Sequence, residues 1–456
     1  MVNKIKKNKQ FIILAMLVIL GIFLRMFLYK YGMEKGNING LTGGYLSEAD
    51  SILSSSQWFY DNIAGKMVLN TNHPKGYAFL IAFLKILTND NWLYAMHWLN
   101  AIVDSFTAIL IFKICHHAFR NDNVAYVAAF IYTICPLTII NSVQELPDAF
   151  APFLLALLIY NWVKPSEKLF KKYLVIGLCI GLCGYFRAEL IYVIFILIIV
   201  DLLNNFNLKI FIQKALILIV TLQIMMAPWG LYTYSQTGKY ITGSTSAWGS
   251  AYEALGQNPN VKWDIELNDI WLNQDALEKG FYGAFNYEAN DYYKGQFIEY
   301  VKTYPGNYIE TVVKYRLMDA FFPRTYAIFN LDRSYSEMAD GYKFCEANFS
   351  TSLDKTLCYK TDKFVKLTEG LYARRISIFF VVTMIIFMIM NLKKWKEYSW
   401  IVLIWLYFPC AIALLKQIEP RNVAPNLVVL IIACGFVIVK LFEIIINKVK
   451  MLRTAK

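Results

Sequence analysis

Charged side chains that could take part in catalysis stand in short polar stretches where apolar segments of the sequence end. A carboxylate can accept a proton from a hydroxyl group, and an arginine or lysine can neutralise a departing phosphate. Carboxylates and cations together therefore suit the transfer of a group that is linked to phosphate. The residues are Glu48 and Asp50 in YLSEADS, His73 and Lys75 in NHPKGY, Glu145 and Asp148 in QELPDAF, Arg187 and Glu189 in YFRAEL, and Glu419 and Arg421 in QIEPRNVAP.

Each of these residues also has a purely structural interpretation. Glu419 with Arg421, and Glu189 with Arg187, could form ordinary ion pairs at a membrane surface. This explanation is weaker for the whole set, because short loops need not collect so many charges on one side.

Two residues at the first of these stretches have further alternatives. Arg25, at the end of the first apolar segment, could extend its long side chain to the interface or could bind a ligand. Asp50 could cap a helix that begins near Ser51, a role that asparagine fills almost as well.

Membrane helices are the elements that would position these residues. The chain has 456 residues, of which 57% are hydrophobic and 17% charged, and its mean hydropathy is +0.41. A helix needs about 20 residues to cross a hydrocarbon layer about 30 Å thick. We therefore predict an all-α polytopic membrane protein, with an interfacial or re-entrant helix at 77–88. The predicted spans, about ten, are 11–29, 95–114, 124–142, 148–163, 173–186, 190–204, 213–229, 376–392, 398–415 and 424–445.

The distribution of lysine and arginine predicts which loops face the cytoplasm, because these residues concentrate in short cytoplasmic loops. All the polar stretches described above then face outward, and the first span, which lacks a small-residue cleavage site, should stay as an anchor. The net charge of +12 comes mostly from cytoplasmic loops, so it favours membrane lipid over nucleic acid as a partner. The cytoplasmic segments are 1–10, 113–123, 164–172, 205–214, 393–397 and 440–456.

The predicted loops divide the chain into three parts. Residues 1–229 form an N-terminal transmembrane module, whose first outer loop is 30–94. Residues 230–375 form a mainly helical outer domain, and residues 376–456 form the C-terminal transmembrane helices. The aromatic residues of the outer domain could form a core or stack on sugar rings, and a core is the default interpretation.

Cys345 and Cys358 fall in the predicted outer domain, whereas the other six cysteines lie in or beside apolar segments. The two could form a disulfide in an oxidising compartment or remain as free thiols, and both alternatives stay open. No cysteine and histidine spacing of the zinc-binding kind occurs in the sequence. The sequence leaves open whether a divalent cation is needed.

Taken in order, the polar stretches resemble the GT-C glycosyltransferases, in particular bacterial members related to protein O-mannosyltransferases and aminoarabinose transferases of glycosyltransferase family 39. In order and spacing, the resemblance covers nearly the whole chain. It runs through GIFLRMFLY, HPKGYAFLIAFL, QELPDAFAPFLLALLIY, GLCGYFRAEL, APWGLYTYSQTGKYITGSTS and EPRNVAP.

The resemblance implies an enzyme that binds a polyprenyl-phosphate sugar and uses an acidic residue of the first outer loop as its catalytic base. That role falls on Asp50, with Glu48 as the alternative, because the adjacent Asp-Glu pair of many relatives reads Ser47-Glu48 here. The resemblance also implies that Arg421 and Arg187 bind the donor phosphate.

The other expected substrate-binding residues are less closely tied to a role. Lys75 replaces the second proline of an HPPGY-like run, and it could contact phosphate or be a surface charge. His73, Glu145 and Glu419 complete the expected set.

We therefore expect a membrane glycosyltransferase that moves a sugar from a polyprenyl-phosphate donor to an acceptor on the outer face of the cytoplasmic membrane, with inversion at the anomeric carbon. The acceptor could be a glycan, a lipid or a protein. The alternative is a polytopic transporter or lipid-linked-sugar flippase, which also combines many spans with intramembrane charges. Charges gathered at one face, without an internal repeat, favour the enzyme.

Overall fold

The computed structural model describes residues 2–32, 41–54, 58–63, 65–166, 168–204, 207–323, 345–346, 350–367, 370–416 and 420–454. Most of these residues are helical, which confirms the predicted all-α membrane architecture. Glu419, one of the expected substrate-binding residues, lies outside the described residues.

The described residues of the first half of the chain form ten α-helices and one short hairpin. Strands β1 (Tyr60–Ile63) and β2 (Lys66–Leu69) pair antiparallel, with Tyr60 opposite Leu69. The helices are α1 (Val2–Gly32), α2 (Leu41–Ser54), α3 (Gly76–Thr88), α4 (Trp92–Phe119), α5 (Asp122–Ile134), α6 (Pro136–Ser142), α7 (Ala151–Val163), α8 (Leu169–Phe186), α9 (Val193–Asn204) and α10 (Leu208–Thr237).

The second half consists of a helical insert followed by three long helices. We call the insert, from residue 238 to residue 367, the inserted domain. Its helices are α11 (Ala247–Glu253), α12 (Asp269–Glu278), α13 (Tyr287–Thr303), α14 (Pro305–Glu310), a π-helical stretch (Thr311–Leu317), α15 (Met318–Phe321) and α16 (Ser352–Leu367). The long helices are α17 (Gly370–Met390), α18 (Trp395–Leu415) and α19 (Leu427–Thr454).

The number of spans differs from the expected ten. Seven helical segments of the described residues are long and apolar enough to cross a membrane, and α5 with α6, bent by 56° at Pro136, would make an eighth. Helices α7 and α9 have 13 and 12 residues, so they are only about 20 and 18 Å long at 1.5 Å per residue. They are short because 3₁₀ turns at Pro147–Ala149 and Ala188–Tyr192 replace their first turns.

A buried ion pair joins the first helix to the bundle. Arg25 of α1 donates from Nε to Oδ2 of Asp104 in α4 at 2.6 Å, and both side chains are fully buried. Tyr132 of α5 donates to the other oxygen of Asp104 at 2.6 Å. The expectation that Arg25 reaches the interface or binds a ligand is therefore wrong. A charge among apolar helices is costly to bury, and Asp104 neutralises it.

The inserted domain has its own core, built largely from aromatic and aliphatic side chains of α11, α12 and α13, including Tyr252, Leu272 and Tyr293. The default interpretation of its aromatic residues as a core is confirmed. Cys345 and Cys358 form a disulfide, which settles the two alternatives that the sequence left open. The boundaries shift slightly, because α10 continues to Thr237 and α17 begins at Gly370.

Candidate functional site

A cavity of about 170 Å³ lies where the ends of several membrane helices meet the inserted domain. Its floor is formed by the turns that follow α8 and α18, its wall by α2 and the loop before α3, and its roof by the inserted domain. The floor residues are Phe186, Arg187, Ala188, Glu189, Lys416, Arg421 and Asn422, the wall residues are Tyr45, Asn72, His73 and Pro74, and the roof residues are Ser244, Ser246, Ser250, Glu253, Asp269 and Phe285.

Arg187 is a cation of the floor with several short contacts. Its Nη1 lies 2.6 Å from Oδ1 of Asp148, and its Nη2 lies 2.7 Å from Oε1 of Glu189. Nη2 also donates to Oδ1 of Asn422 at 2.8 Å. Burial would lower the pKa of Arg187, but the two carboxylates outweigh it and the pKa is raised. Arg187 therefore ties three segments together as a permanent cation.

Arg421 and Lys416 supply further positive charge to the floor. Nη1 of Arg421 is 3.6 Å from Oδ2 of Asp148, which is farther than the Arg187 contact. Burial would raise the pKa of Glu189, but Arg187 and Lys416 outweigh it and lower the pKa to about 2. Among the described residues of the floor, three cations thus face two carboxylates, Asp148 and Glu189, and this gives that part of the floor a positive charge in excess that can meet an anion.

The wall carries a buried carboxylate with two basic partners. Oε1 of Glu48 lies 2.7 Å from Nζ of Lys75 and 3.6 Å from Nδ1 of His73. The side chains of Glu48 and Lys75 are 0% and 1% exposed. Burial would raise the pKa of Glu48, but Lys75, with His73, outweighs that effect and the pKa is lowered. Glu48 is therefore an ionised carboxylate held directly behind the cavity wall.

The loop before α3 is held from both sides. On the membrane side, a Cβ atom at Gly76 would lie 2.6 Å from the carbonyl oxygen of Tyr185, so α3 can approach the end of α8 only because residue 76 is glycine. On the other side, Thr245 N donates to Thr71 O at 3.0 Å, and Ser244 Oγ donates to Asn72 O. These contacts fix the wall against both floor and roof.

Known proteins share this arrangement of helices. Residues 72–232 match the model of a family described as dolichyl-phosphate-mannose-protein mannosyltransferase. The fold is similar to that of the archaeal oligosaccharyltransferase AglB from Archaeoglobus fulgidus in complex with an inhibitory peptide and a dolichol-phosphate, with a TM-score of 0.52 and 12% identity over 99% of this chain and 52% of that chain. This is the GT-C fold. The resemblance predicted from the motifs is confirmed.

A second GT-C structure is similar to the same degree. It is the Archaeoglobus fulgidus oligosaccharyltransferase tethered through a disulfide bond to an acceptor peptide that contains the NVT sequon, with a TM-score of 0.51 and 12% identity over 99% of this chain and 51% of that chain. The present chain thus spans about half the length of these structures. No curated protein matches it in sequence.

The structure places some of the predicted site residues at the cavity and others away from it. Arg187, Arg421 and His73 line the cavity, and their role in substrate binding stays a prediction. Lys75 is neither at the surface nor at the cavity, because it is buried as the ion-pair partner of Glu48. The suggestion that Lys75 is a phosphate contact or a surface charge is therefore corrected.

Asp50 and Glu145 do not line the cavity. The side chain of Asp50 is 54% exposed and lies 2.5 Å from Nζ of Lys85. Oε1 of Glu145 lies 3.2 Å from Nε2 of His97, whose ring stacks on Tyr29 at 3.7 Å. Of the two candidate bases in the first outer loop, Glu48 is the one that contacts a residue of the cavity wall.

Several cavity residues were not singled out in the sequence. Lys416, Glu253 and Asp269 lie beyond the motifs that carry the resemblance, and their positions depend on contacts that cross the chain. A signal existed for Lys416, since it is a charged residue directly after an apolar segment. Among the described residues, no group of three or more His, Cys, Asp or Glu side chains could hold a metal ion.

Proposed function

We propose that this protein is a glycosyltransferase that moves a sugar from a polyprenyl-phosphate donor to an acceptor on the outer face of the cytoplasmic membrane. The observation that carries the proposal is the charge distribution of the cavity. Among the described residues, cations are in excess on its floor, at the ends of membrane helices, and hydroxyl groups with carboxylates line its roof. A phosphate attached to a lipid needs the cations, and a sugar ring needs the hydroxyl groups and carboxylates.

The donor phosphate would bind to Arg421 and Lys416. Arg187 faces the same cavity, but its guanidinium is already bonded to Asp148, Glu189 and Asn422. We therefore assign Arg187 to the positioning of the floor and Arg421 to phosphate binding. A guanidinium can hold two phosphate oxygens at once, and the charge it provides stabilises the phosphate as it departs.

The proposed stereochemical outcome depends on the separation of the wall from the floor of the cavity. If the leaving phosphate lies on the floor and the acceptor enters beside the wall, the acceptor attacks the anomeric carbon from the face opposite the phosphate. A single displacement of this kind inverts the anomeric centre. The acceptor needs a group in the wall that accepts its proton.

The similar structures support the choice of ligands. The oligosaccharyltransferase AglB was solved with a dolichol-phosphate and an inhibitory peptide. By this likeness we propose a polyprenyl-phosphate carrier for the present chain, and we propose a glycan, a lipid or a protein as its acceptor.

Activity of the purified protein in detergent tests the proposal. Polyprenyl-phosphate hexoses and pentoses extracted from a deletion strain are supplied as donors, and mass spectrometry follows release of the sugar from the lipid. Cleavage in detergent, where no vesicle barrier exists, is expected of an enzyme. Movement of the intact lipid-linked sugar across vesicles, without cleavage in any condition, would instead show a flippase or transporter.

A further inference from the structure

A histidine, a glutamate and a lysine lie in contact in the wall of the cavity. Oε1 of Glu48 is 3.6 Å from Nδ1 of His73 and 2.7 Å from Nζ of Lys75. The side chains of Glu48 and Lys75 are fully buried, whereas that of His73 is 28% exposed and lines the cavity. His73 is therefore the member of this group that a substrate can touch.

The buried edge of the imidazole identifies the edge that faces the cavity. Nδ1 of His73 is buried and has no hydrogen-bond partner among the described residues, and the same holds for Oε2 of Glu48. Since Nδ1 faces the glutamate and is inaccessible, the exposed part of the ring is the opposite edge, which carries Nε2. This arrangement suits a histidine that exchanges a proton at Nε2 while a carboxylate orients Nδ1.

The imidazole ring is held in place by its neighbours. It lies against the ring of Tyr45, with centroids 4.4 Å apart. A Cβ atom at Gly44 would lie 2.9 Å from Cε1 of His73, so this glycine leaves just enough room for the ring. The preceding residue, Asn72, is tied to the roof by Ser244. A fixed ring next to an open cavity is the preorganisation that proton transfer requires.

Other histidines in the described part of the chain lack this combination. His97 pairs with Glu145, but its side chain is 2% exposed and does not line the cavity. His116 pairs with Asp122 near the end of α4, at the predicted cytoplasmic side. A histidine that is both paired with a buried carboxylate and open to the cavity is thus found at position 73.

We propose that His73 accepts the proton of the acceptor hydroxyl and that Glu48, itself held by Lys75, orients His73 as a positioning residue. This inference rests on the proposed glycosyl transfer. The acceptor oxygen forms a bond to the anomeric carbon as the bond from that carbon to the phosphate oxygen breaks. The leaving electron pair stays on the phosphate, and the hydroxyl proton passes to Nε2 and then to water through the open cavity.

Other charged groups also face His73 and could affect a pH profile. Tyr45, Glu48 and Lys75 contact it or adjoin it in the wall. Across the cavity lie Arg187, Glu189, Lys416 and Arg421 of the floor and Glu253 and Asp269 of the roof. The test must therefore compare the pH profile of a variant at position 73 with that of the wild-type protein. This comparison separates the contribution of His73 from the contributions of the other charged groups.

The central experiment measures kcat and KM for transfer across pH 5 to 9 in wild-type protein and in His73→Gln. Removal of a well-placed base lowers the rate by about 10²–10⁴. We expect kcat to fall by this factor, KM for the donor to change little, and the loss of activity toward acid pH to disappear. His116→Gln, which alters a histidine–carboxylate pair far from the cavity, is the matched control and should behave as wild type.

Two further variants test the role of Glu48. Glu48→Gln should lower kcat by about 10–100-fold, as loss of an outer-shell partner commonly does. It should also shift the acid side of the dependence of kcat on pH. Because Glu48 acts through His73, the double variant Glu48→Gln/His73→Gln should be no slower than His73→Gln alone. Additive losses would show that Glu48 has an independent role.

The outcomes separate this inference from the proposed function. If wild-type protein cleaves no lipid-linked sugar, the proposed function fails. If wild-type protein is active and His73→Gln keeps its kcat and its acid limb, the role of His73 is overturned. Should His73→Gln fold poorly, His73→Ala is assayed with added imidazole. Recovery of transfer supports the proposal, and a folded variant that imidazole does not rescue contradicts it.

Discussion

Arg421 and Arg187 line the same floor, and the guanidinium of Arg187 makes several short contacts there. Arg187 contacts two carboxylates and an amide at 2.6 to 2.8 Å, whereas Arg421 lies 3.6 Å from Asp148. A new ligand would have to displace strong hydrogen bonds at Arg187. We therefore propose different roles for the two arginines, although the sequence suggested the same role for both.

Replacement of Arg421 tests this distinction. Arg421→Lys keeps the charge but cannot form the two-pronged contact, so we expect KM for the donor to rise by about tenfold or more, since a charged hydrogen bond contributes about 1.5–3 kcal/mol. Steady-state kinetics with a purified donor measure it. The control is Arg374→Lys, because Arg374 belongs to α17 and lies 3.7 Å from Asp319 of α15. An equal KM for the donor in wild-type protein, Arg421→Lys and Arg374→Lys would limit Arg421 to a structural ion pair.

The first outer loop offers a second test at the level of single residues. Asp50, the base implied by the family resemblance, is exposed and pairs with Lys85. Asp50→Asn should therefore keep turnover within about a factor of two, as most surface changes do, whereas Glu48→Gln should lose much more. Transfer rates of the two variants at one pH compare them directly. A folded Asp50→Asn protein without activity would restore Asp50 as the base and remove the role proposed for His73.

At the scale of helices, apolar length predicted most of what the structure shows. Nine of the ten predicted spans each correspond to one helix, because a long apolar run has few other stable forms in a membrane, and the span 124–142 is divided between α5 and α6. The exceptions in length are α7 and α9, whose first turns are 3₁₀. Apolar length could not reveal that Arg25 pairs with Asp104, 79 residues away, because it does not specify which helices become neighbours.

The sequence was also unable to predict every contact at the candidate site. The motifs predicted that His73, Arg187 and Arg421 bind substrate, and the structure places them at one cavity. Their order along the sequence could not show that Lys75 would turn inward to Glu48, since that contact depends on how α2 lies against α3. Roof residues such as Glu253 were missed because no local pattern links them to the floor.

Gly76 allows a close approach between α3 and α8. Gly76→Ala would place a Cβ atom 2.6 Å from the carbonyl oxygen of Tyr185, a backbone atom that cannot simply rotate away. We expect a loss of about 1–3 kcal/mol in stability, measured as a lower Tm in detergent. Gly295→Ala in α13 is the control, because nothing lies within 4 Å of its Cβ position, and it should be stabilising by about 0.5–1 kcal/mol. Equal effects of the two changes would contradict the packing argument.

The buried pair of α1 and α4 gives a prediction about the bundle. Arg25→Met leaves Asp104 without its cation, and Asp104→Asn leaves Arg25 without its anion. Each should destabilise the protein by about 3–5 kcal/mol. The double variant removes both charges and should be more stable than either single variant. Detergent unfolding curves of the three proteins measure this. If the double variant showed the sum of the two losses, the pair would not be coupled.

For the whole molecule, the positions of cysteines and charges support one orientation. The disulfide between Cys345 and Cys358 lies in the inserted domain, and disulfides persist in oxidising compartments. The other six cysteines are free and buried or partly buried. Basic residues concentrate in the short loops at the opposite ends of the helices. Both observations support the proposed orientation, in which the cavity and the inserted domain lie outside the cytoplasm.

Cysteine labelling in intact cells tests this orientation. Lys262→Cys lies on the exposed surface of the inserted domain, and Lys168→Cys lies in an exposed loop at the other end of the bundle. A maleimide reagent that does not cross membranes should label Lys262→Cys in intact cells, whereas it should label Lys168→Cys after the membrane is opened. Background from native cysteines should be low, since two are disulfide-bonded and the rest are at least partly buried. The opposite labelling pattern would place the cavity in the cytoplasm, and an acceptor on the outer face could then not reach His73.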